Sequence, residues 1–223
     1  MSKTVLVVVA HPDDEVLGCG GTVARHVAEG DRVHVIYMAD GVGSRGMDGS
    51  GEYQRRNQAR NEALKILGVS ERHALEFPDN RIDSVPLLDV VQALEPIIEQ
   101  VQPTRVYTHH HGDLNIDHRV THQAVMTACR PLPGSSVREI LTFEVMSSTD
   151  WNSPDTATFK PNWFVDISDY LDQKLKALEA YAMEMRRPPH ARSIDHLTAL
   201  AKHRGYSMGI EAAEAFTLVR TIN

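Results

Sequence analysis

Short apolar runs that alternate with stretches of helical spacing constrain this chain more than any other feature. Residues 5–9 (Val-Leu-Val-Val-Val) are mostly β-branched and too few for a helix, so they read as a buried strand that Pro12 prevents from continuing. Residues 33–38, 73–77 and 105–108 give three more strands. Between them, Val16, Leu17, Gly20, Val23, Ala24 and Val27 share one helical face before a Gly30 stop. Ala59, Ala63, Leu64 and Leu67 do the same over 53–67, and Leu87, Val90, Val91, Leu94, Ile97, Ile98 and Val101 over 86–101. Pro86 suits a first helical position, whereas Pro96 inside the pattern is expected to kink or interrupt that helix. Strands and helices alternating at these lengths predict an α/β fold with a mostly parallel sheet and right-handed crossovers.

With 223 residues, 42% of them hydrophobic, the chain can bury one substantial core. Residues 1–223 are therefore expected to form a single domain, a Rossmann-like three-layer sandwich. Its core is expected over about 1–145, with helices around 170–185 and 196–202 shaping a pocket or a homo-oligomer contact. Cys19 and Cys129 form no CxxC pair and no disulfide framework, which suits a reducing compartment. The net charge of −7 comes without a basic stripe, so no nucleic-acid partner is expected. No apolar run is long enough to span a bilayer, and the chain enters its first strand without a targeting leader. A soluble, cytoplasmic protein is the expectation.

The chemistry gathers where the first strand ends. Ala10-His11-Pro12-Asp13-Asp14-Glu15 sets one imidazole and three carboxylates on a strand-to-helix turn, where open α/β sheets collect their ligands. Adjacent carboxylates repel unless a cation or proton neutralises them, and imidazole with carboxylate suits a divalent metal, zinc first. The turn supplies two of the three ligands that a catalytic zinc takes. Helix capping by Asp13 or Asp14 accounts for the acids but not for the histidine. A second cluster, His-His-His-Gly-Asp-Leu-Asn-Ile-Asp-His at 109–118, follows the fourth strand and precedes a helix over 119–130. Both clusters thus share one edge of the sheet, and the third ligand has a donor. Five glycines between Gly41 and Gly51 predict a mobile loop at the same edge. Arg55, Arg56 and Arg60 lie on the second helix, the first two in its opening turn, where the dipole disfavours a cation and points Arg56 to a task elsewhere.

His11-Pro12-Asp13-Asp14-Glu15, with Asp117-His118 after a later strand, resembles the LmbE-like, or PIG-L-type, family of zinc-dependent N-acetylglucosaminyl deacetylases. The resemblance implies zinc on His11, Asp14 and His118, Asp13 as general base, and Arg56 as a substrate contact. That family's distal motif often reads His-Pro-Asp-His. Asn115 stands here in place of its first histidine, which helps hold the substrate carbonyl or the oxyanion. An asparagine amide can donate to an oxyanion but cannot carry a proton, so His110 or His111 is a candidate for that part. On this reading Asp13 takes a proton from a zinc-activated water that attacks the acetamide of a soluble N-acetyl amino sugar conjugate. Asp117 orients a histidine or binds a sugar hydroxyl.

Other readings of the residues predict different sites. A non-catalytic binding module calls for a closed four-ligand metal centre, against three convincing ligands and a spare carboxylate here. A two-metal phosphoesterase needs more bridging carboxylates, for which Asp40, Asp79 and Asp113 are the candidates. Gly18-Cys19-Gly20-Gly21 does not spell the dinucleotide fingerprint.

Overall fold

The fold is that of a computed structural model, whose description covers residues 2–43, 50–153 and 155–223. The strands are β1 (Thr4–Val9), β2 (Arg32–Ala39), β3 (Glu71–Phe77), β4 (Arg105–His109), β5 (Glu139–Phe143), β6 (Trp163–Asp166) and β7 (Ala213–Thr221). The helices are α1 (Asp14–Ala28), α2 (Ser50–Leu67), α3 (Leu87–Val101), α4 (Ile116–Ala128), α5 (Leu171–Ala180) and α6 (Ile194–Tyr206). All seven strands join one sheet in the order β3-β2-β1-β4-β5-β7-β6. The first five run parallel, and β7 is antiparallel to both β5 and β6.

Alternation along β1 explains the three layers. Val5, Val7 and Val9 face a core built with α1, α2, α5 and α6, while Leu6 and Val8 face one built with α3 and α4. The expected α/β sandwich with a mostly parallel sheet is therefore present as one unit.

Four local expectations change. Residues 146–223 supply β6 and β7 to the same sheet, besides two helices. Helix α3 runs through Pro96 without interruption; Pro96 and Gln92 both face solvent, so the carbonyl that proline leaves without a donor can be hydrated. Helix α4 starts at Ile116, three residues before its expected start, because Asn115 caps it by accepting from Asp117 N at 2.8 Å. Gly51 lies in the first turn of α2, while residues 44–49 of the expected glycine loop are outside the described residues. Among the described residues no helix is long and apolar enough to cross a membrane.

Helix α1 breaks at Cys19, whose backbone is non-helical (φ −149°, ψ 24°). The amides that the break frees are capped from the far end of the chain: Gly21 N and Thr22 N donate to Glu214 of β7 at 3.0 and 2.7 Å. Lys174 of α5 lies 2.5 Å from the same carboxylate and donates to Leu17 O at 3.0 Å. The short first half of α1, which carries the acidic turn, is thereby fixed by β7 and α5.

Candidate metal and catalytic centre

The chain leaves β1 toward β2 on one side, whereas β4 and β5 lie on the other, so the carboxyl ends of β1 and β4 open a crevice between them. His11 and Asp13 follow β1, His109 ends β4, Asp79 follows β3, and His118 sits in the first turn of α4.

His11, Asp14 and His118 offer one ligand atom each within 4.8 Å of one another, and all three residues are buried. Asp14 Oδ2 lies 3.4 Å from His11 Nδ1 and 3.3 Å from His118 Nε2. Those spacings match the edge of a tetrahedron around an ion bound at ~2.0–2.2 Å. Asp14 Oδ1 is buried with no hydrogen-bond partner, an orphan that a cation would satisfy. Two imidazoles and a carboxylate form a borderline donor set suited to zinc. The residues present fit a divalent ion.

Each imidazole has a carboxylate behind it. His11 Nε2 is 2.9 Å from Asp117 Oδ2, and Asp117 in turn accepts Asn80 N at 2.7 Å and Ile82 N at 3.0 Å. His118 Nδ1 is 3.2 Å from Asp113 Oδ2, and Asp113 accepts Asn115 N at 2.8 Å, Thr149 Oγ1 at 2.6 Å and Ser148 Oγ. Such backing fixes ring orientation and raises ligand basicity. Burial alone lowers an imidazole's pKa, but Asp14 and Asp113 bring His118 up to about 9, and Asp117, Asp14 and Asp79 raise His11 well above its usual value. Burial likewise opposes ionisation of Asp14, yet the facing His118 and His109 hold it well below the usual carboxylate range.

His11, Asp79 and Asp117 also fall within 4.8 Å of one another, the arrangement a two-metal reading would use. His11 belongs to both groups, however, and each oxygen of Asp117 already receives a backbone amide.

Asp13 is the strained member of the turn. Its φ of 121° lies where side chains are rarely found, and it makes no side-chain cap bond to α1. Its carboxylate sits between two guanidinium groups instead, Arg192 Nη1 at 3.0 Å and Arg56 Nη2 at 3.5 Å. Burial raises its pKa, with both arginines pulling the other way. Arg56 is buried, donates to Pro12 O at 2.7 Å and pairs with Glu184 at 2.5 Å. Gly41, at φ 72°, makes room for it: a Cβ there would lie 2.8 Å from Arg56 Nε. Glu15 ties the turn together, accepting Asp13 N at 3.0 Å and the Tyr181 hydroxyl at 2.7 Å, and burial pushes its pKa up to about 7.

The remaining expected residues are more scattered. Asn115 spends its oxygen as the α4 cap and donates one amide N–H to Asn80 Oδ1 at 3.2 Å. His110 Nε2 faces Ala157 O at 3.0 Å, and His111 is exposed. Arg55 is exposed too, and Arg60 stacks over Tyr37 at 5.2 Å. His109 is the member of the triplet nearest the ligand group: it accepts Ala10 N at 2.9 Å, stacks on His118 at 3.9 Å, and burial lowers its pKa well below the usual imidazole value. Sequence reasoning missed His109, Glu184 and Arg192, and took Asp113 only as a metal bridge.

Comparison with known proteins agrees with this geometry. Residues 6–129, more than half of the chain, match the family described as PIG-L, GlcNAc-PI de-N-acetylase. The chain is 37% identical to the uncharacterized deacetylase YaiS of Escherichia coli K12 over 80% of its length and 90% of that protein's. It is 26% identical to diacetylchitobiose deacetylase of Thermococcus kodakarensis, covering 97% of this chain and 83% of the relative. The N,N'-diacetylchitobiose deacetylase structure from Pyrococcus horikoshii superposes with a TM-score of 0.78 at 25% identity, over 98% of this chain and 84% of that one. These relatives are named as deacetylases, hydrolases that act on amide bonds. With the family match spanning the whole crevice from β1 to α4, the chain belongs to the PIG-L (LmbE-like) family of de-N-acetylases.

Proposed function

We propose that this protein removes the acetyl group from an N-acetylglucosamine-type sugar conjugate, with a divalent ion, zinc first, on His11, Asp14 and His118. The observation that carries the reading is the three-donor group with the Asp13 carboxylate beside it, outside the ligand set and held by two arginines. Three ligands and an adjacent carboxylate outside the ligand set describe a catalytic rather than a structural centre. When bound, the ion supplies Lewis acidity, polarising an acetamide carbonyl and acidifying the attacking water.

The chain's own groups do the rest. Asp13 takes the proton from the attacking water and returns it to the leaving amine. Arg56 and Arg192 fix where that carboxylate stands, and Arg56 contacts substrate. Asp117 and Asp113 orient the two imidazoles. Asn115 has two amide protons and uses one on Asn80, so the other serves the oxyanion, with His110 and His111 as further donors on the same loop. The names of the relatives support an acetylated amino sugar as substrate. Two free, buried cysteines suit a cytoplasmic setting.

Acetate release from N-acetylglucosamine conjugates tests this, using metal-stripped protein before and after zinc, beside Asp13→Asn. Zinc-restored release that is at least ~100-fold lower in Asp13→Asn is expected, in line with general-base contributions. Metal binding without release from any conjugate would overturn the reading.

A further inference from the structure

Arg60 of α2 is a buried cation that the fold leaves short of partners. It is 8% exposed, and its Nε is sealed from solvent with no hydrogen-bond partner. Its guanidinium lies over the Tyr37 ring at 5.2 Å, and among the described residues no carboxylate pairs with it. A ring face offsets only part of the hydration that a buried guanidinium gives up, and buried charges are normally paired. Arg56, one turn earlier on the same helix, shows the contrast: it is buried too, and has Glu184, Asp13 and Pro12 O around it.

A group that would satisfy Arg60 has a place to stand. Arg60 lines a cavity of about 250 Å³ together with Tyr53 of α2, Asp40 just after β2, and Leu75, Glu76 and Phe77 of β3. Neither Asp13 nor any proposed metal ligand lines it, so it is separate from the catalytic centre. A planar guanidinium fork matches a carboxylate or a phosphate, and the rest of the lining decides between them. Asp40 Oδ1 already accepts Val42 N at 2.9 Å and Gly43 N at 3.2 Å, and Glu76 is exposed, so neither neutralises Arg60. Two carboxylates around one guanidinium oppose a dianion such as phosphate far more than a single negative charge. Tyr53 adds a phenolic donor, and Leu75 and Phe77 an apolar wall.

We infer that this cavity is a binding site for the carboxylate of a small aliphatic acid, held by Arg60 outside the catalytic centre. A plain acid or an amino acid supplies the same carboxylate; the ammonium of the latter would face Asp40 and Glu76. The site stands whether or not the protein releases acetate.

The experiment follows the Arg60 Nε–H resonance of the zinc-loaded, isotope-labelled protein as isovalerate, isovaleramide, L-valine or inorganic phosphate is added. The resonance is assigned by its loss in Arg60→Lys. Isovalerate is expected to shift it saturably, while the neutral amide and phosphate leave it in place. Backbone amides of residues 74–77 read the same titration in Arg60→Gln, where binding is expected to weaken at least ~10-fold, the loss of a hydrogen bond to a charged group. L-valine separates the two sources. A stronger or sole response to L-valine marks an amino acid, a weaker one a plain acid, and both keep the site. No response to either acid overturns the inference. An equal response to isovaleramide or to phosphate overturns it as well, as does undiminished binding in Arg60→Gln. If Arg60→Gln does not fold, the titration of the unaltered protein decides.

Discussion

The Arg192 guanidinium stands 3.0 Å from the Asp13 carboxylate across 179 residues of sequence, so the group proposed as base is held from the opposite end of the chain. Removing that contact leaves Asp13 buried with Arg56 as its remaining cation, at 3.5 Å. A hydrogen bond to a charged group contributes about 1.5–3 kcal/mol, so Arg192→Ala is expected to lower kcat roughly 10- to 100-fold. Arg192→Lys restores a charge but not the fork, and partial recovery is expected. Acetate-release kinetics on the zinc-loaded protein read both; an Arg192→Ala rate near wild type would remove the residue from the mechanism.

In the proposed centre Asp113 would act on the metal through His118, whose Nδ1 it faces at 3.2 Å. Asp113→Asn is expected to weaken zinc binding by about 10- to 100-fold, the usual effect of losing a carboxylate behind a ligating imidazole. Chelator competition measures it. Circular dichroism in parallel checks that α4, whose cap residue Asn115 bonds Asp113 through its backbone, stays folded.

The buried Lys174–Glu214 pair makes a stability prediction. Glu214→Ala leaves Lys174 without its carboxylate and two α1 amides uncapped, and is expected to cost about 3–5 kcal/mol in urea unfolding. Lys174→Met combined with Glu214→Ala removes the stranded charge and should recover part of that loss. If the double variant is no more stable than Glu214→Ala alone, the stranded charge was not the cause.

His26 supplies a pH dependence away from the centre. Its Nδ1 is 2.7 Å from Asp31 and its Nε2 3.0 Å from the Tyr107 hydroxyl; burial lowers its pKa, and Asp31 offsets only part of that. The folded value lies below the unfolded ~6.5, so the unfolded chain binds the proton more readily. The contribution is complete above about pH 6.5 and is lost as pH falls through the lower folded value. Urea midpoints between pH 7.5 and 5 should decline, and His26→Gln should flatten that decline. A variant that declines as steeply as wild type would assign it to other groups.

The site was legible in the sequence wherever its members are neighbours in the chain. His11, Asp13 and Asp14 share one turn, and the strand before them fixes the edge at which they lie. His118 was reachable because a second strand-to-helix junction in a parallel sheet must open on the same side. Arg192 and Glu184 gave no such signal. Arginine and glutamate in a polar stretch read as solvated surface, and only tertiary packing brings them onto Asp13 and Arg56. The strand pattern failed at β6 and β7 for a related reason. β6 is only half-buried and β7 opens Ala-Glu-Ala-Phe, so neither is the continuous apolar run that a central parallel strand shows. The start of α4 was misjudged although its signal was present, since an asparagine two residues before Asp117 is a common cap.

The Glu214 cap on the broken first helix also ties the acidic turn to a strand far along the chain. Residues 14–18 form the half of α1 that presents the acidic turn, and the carboxylate that secures the other half at Gly21 and Thr22 is synthesised some two hundred residues later, on β7. A nascent chain that has made β1 to β5 has every proposed metal ligand but not this anchor. Unpairing β7 would therefore loosen the acidic turn even with every proposed ligand still in the chain.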